Sequence, residues 1–399
     1  MKRRLVWMVA LMWGLVAAAP AWATNGVNLI GVGPTSRAMG GTGVAAPQDT
    51  TAALSSNPAA IAALKGTQFD LAATYFIPDQ RAEVTWSAMG LPDWSGSSQD
   101  SPYGVPAVGL VTPINENLVF GMGLLGVSGL GVDYVNMGPM GGDNIRTMMM
   151  VMGFTPTLAY KAGPLAVGAS ILGNFQLADF GEGVTHDFAW GGRVGVHYDL
   201  DIVAIGASYT TKQSATHERI ADLDGDGTKD DLKIGLPAQL AVGVAVKPTP
   251  KLLAELNAKW LQWKKADLFK DVDWKNQWVF ALGLQYQATP KLALRAGYNY
   301  GKHPVQIHND FNVMGTTNLQ GKTLPTFSYE YLRIIGMPAF SEQAVTLGIG
   351  YSLGKHVALN VGVMRAFKKT DEQSTMGGAV VLKSSLAETA FDVGLSMKF

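Results

Sequence analysis

The sequence predicts an all-β fold: a transmembrane antiparallel β-barrel of about fourteen strands, preceded by an N-terminal segment of short helices. Three observations carry the prediction. An export signal opens the chain, apolar and polar residues alternate in segments of about ten residues, and the connections between those segments alternate short and long.

The opening "MKRRLVWMVALMWGLVAAAPAWA" sets Lys2, Arg3 and Arg4 before an apolar run from Leu5 to Ala19, with Ala21-Trp22-Ala23 as a small-x-small cleavage site. Residues 1–23 therefore read as a cleaved secretory signal and not as a spanning helix. Cleavage takes three of the 31 basic residues and leaves 28 against 31 acidic, a balance that argues against nucleic acid as a partner. A chain without Cys has neither a disulfide framework nor a lipoprotein anchor. Hydrophobic content is 47%, yet after the signal no run approaches the roughly 18 apolar residues that a membrane helix needs. Dispersed apolar residues in an exported, glycine-rich chain belong on one face of membrane strands.

Residues 24–65 fall outside the alternation. They are rich in Gly, Ala, Ser and Thr, and "TTAALSSNPAAIAAL" predicts short helices around an Asn57-Pro58 break, either in a linker or in a compact plug. Residues 66–399 form the barrel. Its predicted strands start with "FDLAATYFI" (Phe69 on), "YGVPAVGLV" (Tyr103 on), "LVFGMGLLGV" (Leu118 on), "TMMMVMGFTPTLAY" (Thr147 on) and "LAVGASILGNF" (Leu165 on). They continue with "RVGVHYDL" (Arg193 on), "IVAIGASYTTK" (Ile202 on), "QLAVGVAVKP" (Gln239 on), "LLAELNAKWLQW" (Leu252 on) and "WVFALGLQYQA" (Trp278 on). "KLALRAGYNY" (Lys291 on), "AVTLGIGYSLG" (Ala344 on), "VALNVGVMRA" (Val357 on) and "FDVGLSMKF" (Phe391 on) complete the set.

Turns such as "KAGP" (Lys161 on), "ATPK" (Ala288 on) and "LGKH" (Leu353 on) are short. Long polar or glycine-rich loops are expected at 78–104, 127–146, 175–190, 212–237, 263–276, 301–342 and 367–386. Short periplasmic turns facing long extracellular loops are the asymmetry of outer-membrane barrels. In the last segment Phe391, Val393, Leu395, Met397 and Phe399 share one face, which acyl chains would cover. The terminal Phe399 resembles the aromatic that such barrels present to their assembly machinery.

The alternation turns Arg193, His197, Glu255, Asn257, Lys259, Arg295 and Asp392 inward, where charges pair with one another or serve a ligand. On the third strand Gly121 and Gly123 face the lumen, either as a gap in the wall or as a fit to a crowded interior. Met137 and Met140 bring adaptable thioethers to a long loop and suit apolar capture. In "DLDGDGTKDD", Asp222, Asp224, Asp226 and Asp230 have the spacing of oxygen ligands around Ca²⁺. Lys233 stands where the bidentate Glu would be, so the loop is a weak Ca²⁺ site or a solvated acidic stretch, and no cofactor is required. No H-E-x-x-H or G-x-S-x-G occurs, and "GTGVAA" (Gly41 on) follows no strand, so the chain is not expected to be an enzyme.

One resemblance spans nearly the whole mature chain. "SRAMGGTGVA", with Gly40 and Gly41, and "SSNPAAI", with Asn57, Pro58 and Ala59, are similar to the hatch of the FadL/TodX outer-membrane transporters of long-chain fatty acids and aromatic hydrocarbons. The stretches from Trp190, Leu236 and Asp273 and the terminal "FDVGLSMKF" continue the likeness. It implies a monomeric, hatch-plugged barrel of the outer membrane, in contact with lipid and lipopolysaccharide, for passive uptake of a hydrophobic small molecule. It also implies capture by the extracellular loops and lateral exit through a kinked third strand, here near Gly121 and Gly123. A ligand carboxylate would need a cation, for which Arg193 and Arg295 are the candidates. The alternative is a general porin or structural barrel without a dedicated apolar ligand.

Overall fold

A computed structural model describes residues 25–86, 90, 92–135 and 144–399. Sixteen strand segments join in one sheet, of which fourteen strands close the wall. They are β1 (Gln68–Thr85), β2 (Tyr103–Pro113), β3 (Leu118–Tyr134), β4 (Ile145–Phe154 with Thr157–Ala162), β5 (Leu165–Asp179), β6 (Thr185–Leu200) and β7 (Val203–Thr210). The others are β8 (Gln239–Thr249), β9 (Leu252–Leu261), β10 (Gln277–Thr289), β11 (Leu292–Tyr300), β12 (Gln343–Ser352), β13 (Val357–Thr375) and β14 (Val380–Lys398). The two segments of β4 keep one register against β5 on either side of Pro156, which supplies no N–H, so they act as a single strand. A short strand, Trp94–Ser97, lies beside the end of β1.

Closure is antiparallel, from Gln68 opposite Lys398 to Thr85 opposite Val381, so no lipid-exposed edge is left there. Period-two alternation becomes two surfaces. Leu256, Leu282, Leu347 and Val194 stand exposed on the outside with Tyr160, Trp190 and Trp278, whereas Glu255, Asn257 and Asp392 are buried inside. Large exposed apolar side chains all round a closed sheet are the signature of a lipid-facing wall.

Two short helices and a 3₁₀ turn fill the lumen: α1 (Gly33–Ala38), α2 (Thr50–Ser56) and Pro58–Ala63. Asp49 caps α2 by accepting from Ala52 N at 2.7 Å, a bond worth about 1 kcal/mol. Asn57 ends that helix and caps the next turn, accepting from Ala59 N at 3.1 Å, and Pro58 starts the turn where a missing N–H costs nothing. Gly, Ala, Ser and Thr make up most of this segment, so much of its backbone packs close to the wall. Its neighbours are glycines paired across the wall, Gly168 with Gly195, Gly206 with Gly243 and Gly283 with Gly297. A Cβ on Gly168 would lie 2.6 Å from Ala59 N, and one on Gly283 2.6 Å from Met39 O. Much of the chain's glycine is therefore spent on bringing backbone close to backbone.

Several loops expected from the sequence are largely strand. Between β5 and β6 only residues 180–184 lie outside strands, and between β13 and β14 only residues 376–379. Strands of 15 to 19 residues in β5, β13 and β14 outrun the roughly ten that cross a bilayer and carry the wall above it, where polar alternation reads as loop. The 212–237 stretch is mainly a hairpin, Gln213–Ala221 with Asp230–Leu236. The 301–342 stretch holds a second hairpin (Thr316–Leu319 with Lys322–Pro325) and α3 (Thr326–Tyr331), continued by a π-turn over Leu332–Gly336. An apolar cap that includes Trp263, Phe269, Trp274, Ile334 and Phe340 closes this end of the lumen.

Candidate ligand cavity and lateral gap

β3 loses one neighbour halfway along its length. Its ladder with β2 runs from Val119 opposite Pro113 to Leu125 opposite Ala107 and then stops, although β2 stays paired with β1 as far as Tyr103. Pro106, the first β2 residue beyond the ladder, brings no N–H to either side. On its other edge β3 continues with β4, through a one-residue bulge at Val127.

The released edge is not left bare. Leu29 N donates to Val127 O at 3.3 Å and Gly129 N to Val27 O at 2.9 Å, so the N-terminal segment occupies the place of β2. Further up, Gln80 Nε2 donates to Gly131 O at 2.6 Å, and Gln99 N to Asp133 O at 2.8 Å. An unpaired edge at membrane depth would cost several kcal/mol per polar group, and this segment is what removes that cost.

Directly behind the segment lies a cavity of about 100 Å³. Asn28, Leu29, Leu125 and Val127 form the wall on the gap side, and Arg193 and Lys259 face it from β6 and β9. Arg193 donates to Thr210 Oγ1 at 2.8 Å and Leu54 O at 2.9 Å, and Lys259 Nζ to Gly41 O at 3.2 Å. Neither has a carboxylate within ion-pair distance among the described residues. With leucine and valine on the gap side, two cations opposite and Ser55, Ser56, Asn174 and Gln213 among the polar groups between, the cavity has the size and donors for the anionic head of an amphiphile rather than for its whole length.

The other predicted residues fall as follows. Gly40 and Gly41 adopt the left-handed backbone (φ 70° and 85°) that a side chain resists, turning the hatch against the wall, where Asn299 Nδ2 donates to Gly40 O at 2.9 Å. Asn57 Nδ2 donates to Val44 O at 2.9 Å and Val196 O at 3.0 Å, tying two hatch turns to β6, with Pro58 and Ala59 against Gly168. Gly121 and Gly123 face inward, but the ladder is intact on both sides of Gly121, opposite Val111 and Thr157, and Gly123 is paired with Gly109. A Cβ on Gly121 would meet Leu54 and Ile61 of the hatch. Gly121 thus accommodates the hatch, a Cβ on Gly123 would meet Thr155 and Leu125 of the wall itself, and the gap in the wall begins beyond Leu125.

Arg295 does not reach the cavity; it donates to Gln285 Oε1 at 2.6 Å and Asn360 Oδ1 at 2.9 Å. Lys259 takes the place expected for it. Asp222, Asp224 and Asp226 bring carboxylate oxygens within 4.8 Å of one another. Asp230 stands apart, buried and ion-paired with Lys322, because it belongs to the hairpin strand and not to its tip. Met137 and Met140 lie outside the described residues.

Comparison with known families finds that the model described as "Outer membrane protein transport protein (OMPP1/FadL/TodX)" matches residues 11–185 and 182–313. No curated protein sequence matches. Among solved structures, the Pseudomonas putida toluene transporter TodX superposes with a TM-score of 0.66 at 20% identity, over 93% of this chain and 99% of that one. The Ralstonia pickettii toluene transporter TbuX gives 0.66 at 19%, over 93% and 99%. A Pseudomonas aeruginosa FadL homologue gives 0.68 at 15%, over 96% and 99%. At these identities the likeness is one of fold.

Proposed function

Given that the chain belongs to the OMPP1/FadL/TodX family of outer-membrane transport proteins, we propose that it takes up hydrophobic small molecules passively, as a monomer. Its ligand class, on this reading, is the long-chain carboxylate rather than the plain hydrocarbon. The observation that carries this is the cavity's two cations: Arg193 and Lys259 face the same space as Leu29, Leu125 and Val127. An uncharged aromatic would gain only cation–π attraction from these two groups, whereas a carboxylate supplies a charge-assisted hydrogen-bond acceptor for both.

The extracellular loops, including the one that carries Met137 and Met140, make the first capture. The ligand then passes the apolar cap and reaches the cavity, with its carboxylate at Arg193 and Lys259 and its tail toward β3. Withdrawal of Val27–Leu29 from β3 exposes the cavity to the gap beyond Leu125 and Ala107, and the ligand leaves sideways into the bilayer. A hatch packed backbone to backbone against paired glycines supports the view that ions have no continuous water path.

The test is uptake in cells that lack other such transporters, with a radiolabelled long-chain fatty acid and with toluene. The chain is expected to support fatty-acid uptake well above the empty-vector rate and toluene entry much less. Fatty-acid uptake no faster than with empty vector overturns the reading.

A further inference from the structure

We propose that the outer wall over β9, β10 and β11 is a docking site for one phosphorylated glycolipid of the outer leaflet, a lipopolysaccharide, with an acyl chain in an aromatic groove and phosphates on a lysine rim above it. The groove follows from register. Outward-facing rows run Leu256–Leu282–Tyr298 and, one step nearer the long loops, Ala258–Phe280–Tyr300. Above them Trp260 stands opposite Trp278, ring centroids 6.1 Å apart, and Trp278 stacks on Phe280 at 6.3 Å. A shallow depression lined by Leu256, Phe280, Leu282, Tyr298 and Tyr300 lies along these rows, below the tryptophan pair.

The rim is an independent observation. Lys264 and Lys265 lie in the turn that follows β9, Lys275 precedes β10 and Lys302 follows β11, all four exposed. Buried Trp263 and Trp274 anchor the loop that carries the first three. Lys264 N donates to Asn276 Oδ1 at 3.0 Å and Lys275 N to Pro304 O at 2.7 Å, so the backbone holds these positions together. None of the four lysines has an ion-pair partner among the described residues. The loop's own carboxylates are engaged elsewhere: Asp267 with Lys212 and Lys270, each at 3.0 Å, Asp273 with His308 at 3.1 Å, and Asp271 Oδ2 accepting from Gln320 Nε2 at 2.9 Å and Leu268 N at 3.2 Å. The rim over β1 and β14 differs, since Lys383 and Arg81 there share Glu83.

Four unpaired cations directly above an aromatic groove match an anionic head on an acyl tail. Each phosphate monoester carries about −1.5 to −2 charges, and each lysine near a charged lipid surface contributes on the order of a fivefold gain in binding. A phospholipid with a single phosphate would use only part of the rim. That difference commits the site to a glycolipid with two phosphates.

The experiment uses the full-length protein purified in detergent, with deep-rough lipopolysaccharide, the same material dephosphorylated, and phosphatidylglycerol, read by native mass spectrometry and tryptophan fluorescence. The intact glycolipid is expected to bind at least about tenfold tighter than either other lipid. Replacing Lys264, Lys265, Lys275 and Lys302 together by Gln should abolish that preference while heat-modifiable migration stays normal, and Arg81→Gln with Lys383→Gln should leave it intact. Equal binding of phosphorylated and dephosphorylated forms by the wild type overturns the proposal whatever the variants do. So does phosphatidylglycerol binding as tightly as the glycolipid, or an equal loss in the two sets of variants.

Discussion

Ser128 Oγ donates a 2.6 Å hydrogen bond to Asn28 Oδ1, across an antiparallel bridge that fastens the N-terminal segment to β3 where β2 has already left it. One short segment thus serves as a wall strand above Leu125 and as a wall of the cavity behind it.

Fixing that contact should stop transport without unfolding the barrel. Directly bridged residues lie close enough for a disulfide, and the chain has no other Cys. Oxidised Asn28→Cys/Ser128→Cys protein is expected to lose most fatty-acid uptake and to regain it when reduced. Full uptake by a fully oxidised population, verified by mass spectrometry, would mean that the segment does not move.

The two cavity cations should act on charge and not on apolarity. Arg193→Gln and Lys259→Gln each remove one partner from a ligand carboxylate, about 1.5–3 kcal/mol or some ten- to hundredfold in affinity. Fatty-acid binding is expected to weaken by that factor, with binding of the corresponding alcohol nearly unchanged. Arg295→Gln, remote from the cavity, should leave both alone.

Between plug and wall, Arg37 of α1 pairs with Asp392 of β14 while Thr74 of β1 also donates to that carboxylate, at 2.6 Å. Both charged groups are buried, so removing one strands the other, at about 3–5 kcal/mol. Asp392→Ala is expected to loosen the hatch and raise bilayer conductance, and Arg37→Ala/Asp392→Ala to conduct less than Asp392→Ala. The wild type should conduct little, and deletion of residues 25–64 should open it. Large steady conductance by the intact protein would favour a porin.

The 301–342 cap should hold less well in alkali. His308 Nδ1 meets Glu330 Oε1 at 2.9 Å, and that bond holds the imidazole above its ordinary pKa of 6.5 against the opposing effects of burial and Arg333, with Asp273 helping. A raised folded value means that the stabilisation is complete below 6.5 and fades as pH climbs through the folded value. Burial pushes Glu330 up, but His308 and Arg333 together hold it below its usual range, so its contribution is lost only in acid. Protection factors over 301–342, that is the base-catalysed intrinsic rate at each pH divided by the observed exchange rate, are therefore expected to be higher at pH 6 than at pH 8.5, and His308→Gln to flatten the difference. An unchanged pH profile in that variant would assign the effect to another group.

Legibility in the sequence divides along the range of the interactions. Gly297 is a case of both kinds: its place on a strand follows from its neighbours, but that its missing side chain makes room for Met39 and Gly40 needed the folded hatch. Strand identity and the inward or outward sense of Arg193, Glu255 and Asp392 were determined by the sequence alone, because a strand's side chains alternate whatever it pairs with. The break at Asn57-Pro58 and the turn at Gly40-Gly41 were equally local, resting on one missing N–H and one left-handed backbone. Only the tertiary structure decided that Lys259 and not Arg295 shares a cavity with Arg193, since the level of one strand relative to another around the barrel depends on every intervening register. The gap beyond Leu125 has the same origin. It arises where β2 stays with β1 and β3 stays with β4, and Val27–Leu29, some hundred residues earlier in the chain, supplies the hydrogen bonds that neither neighbour then provides.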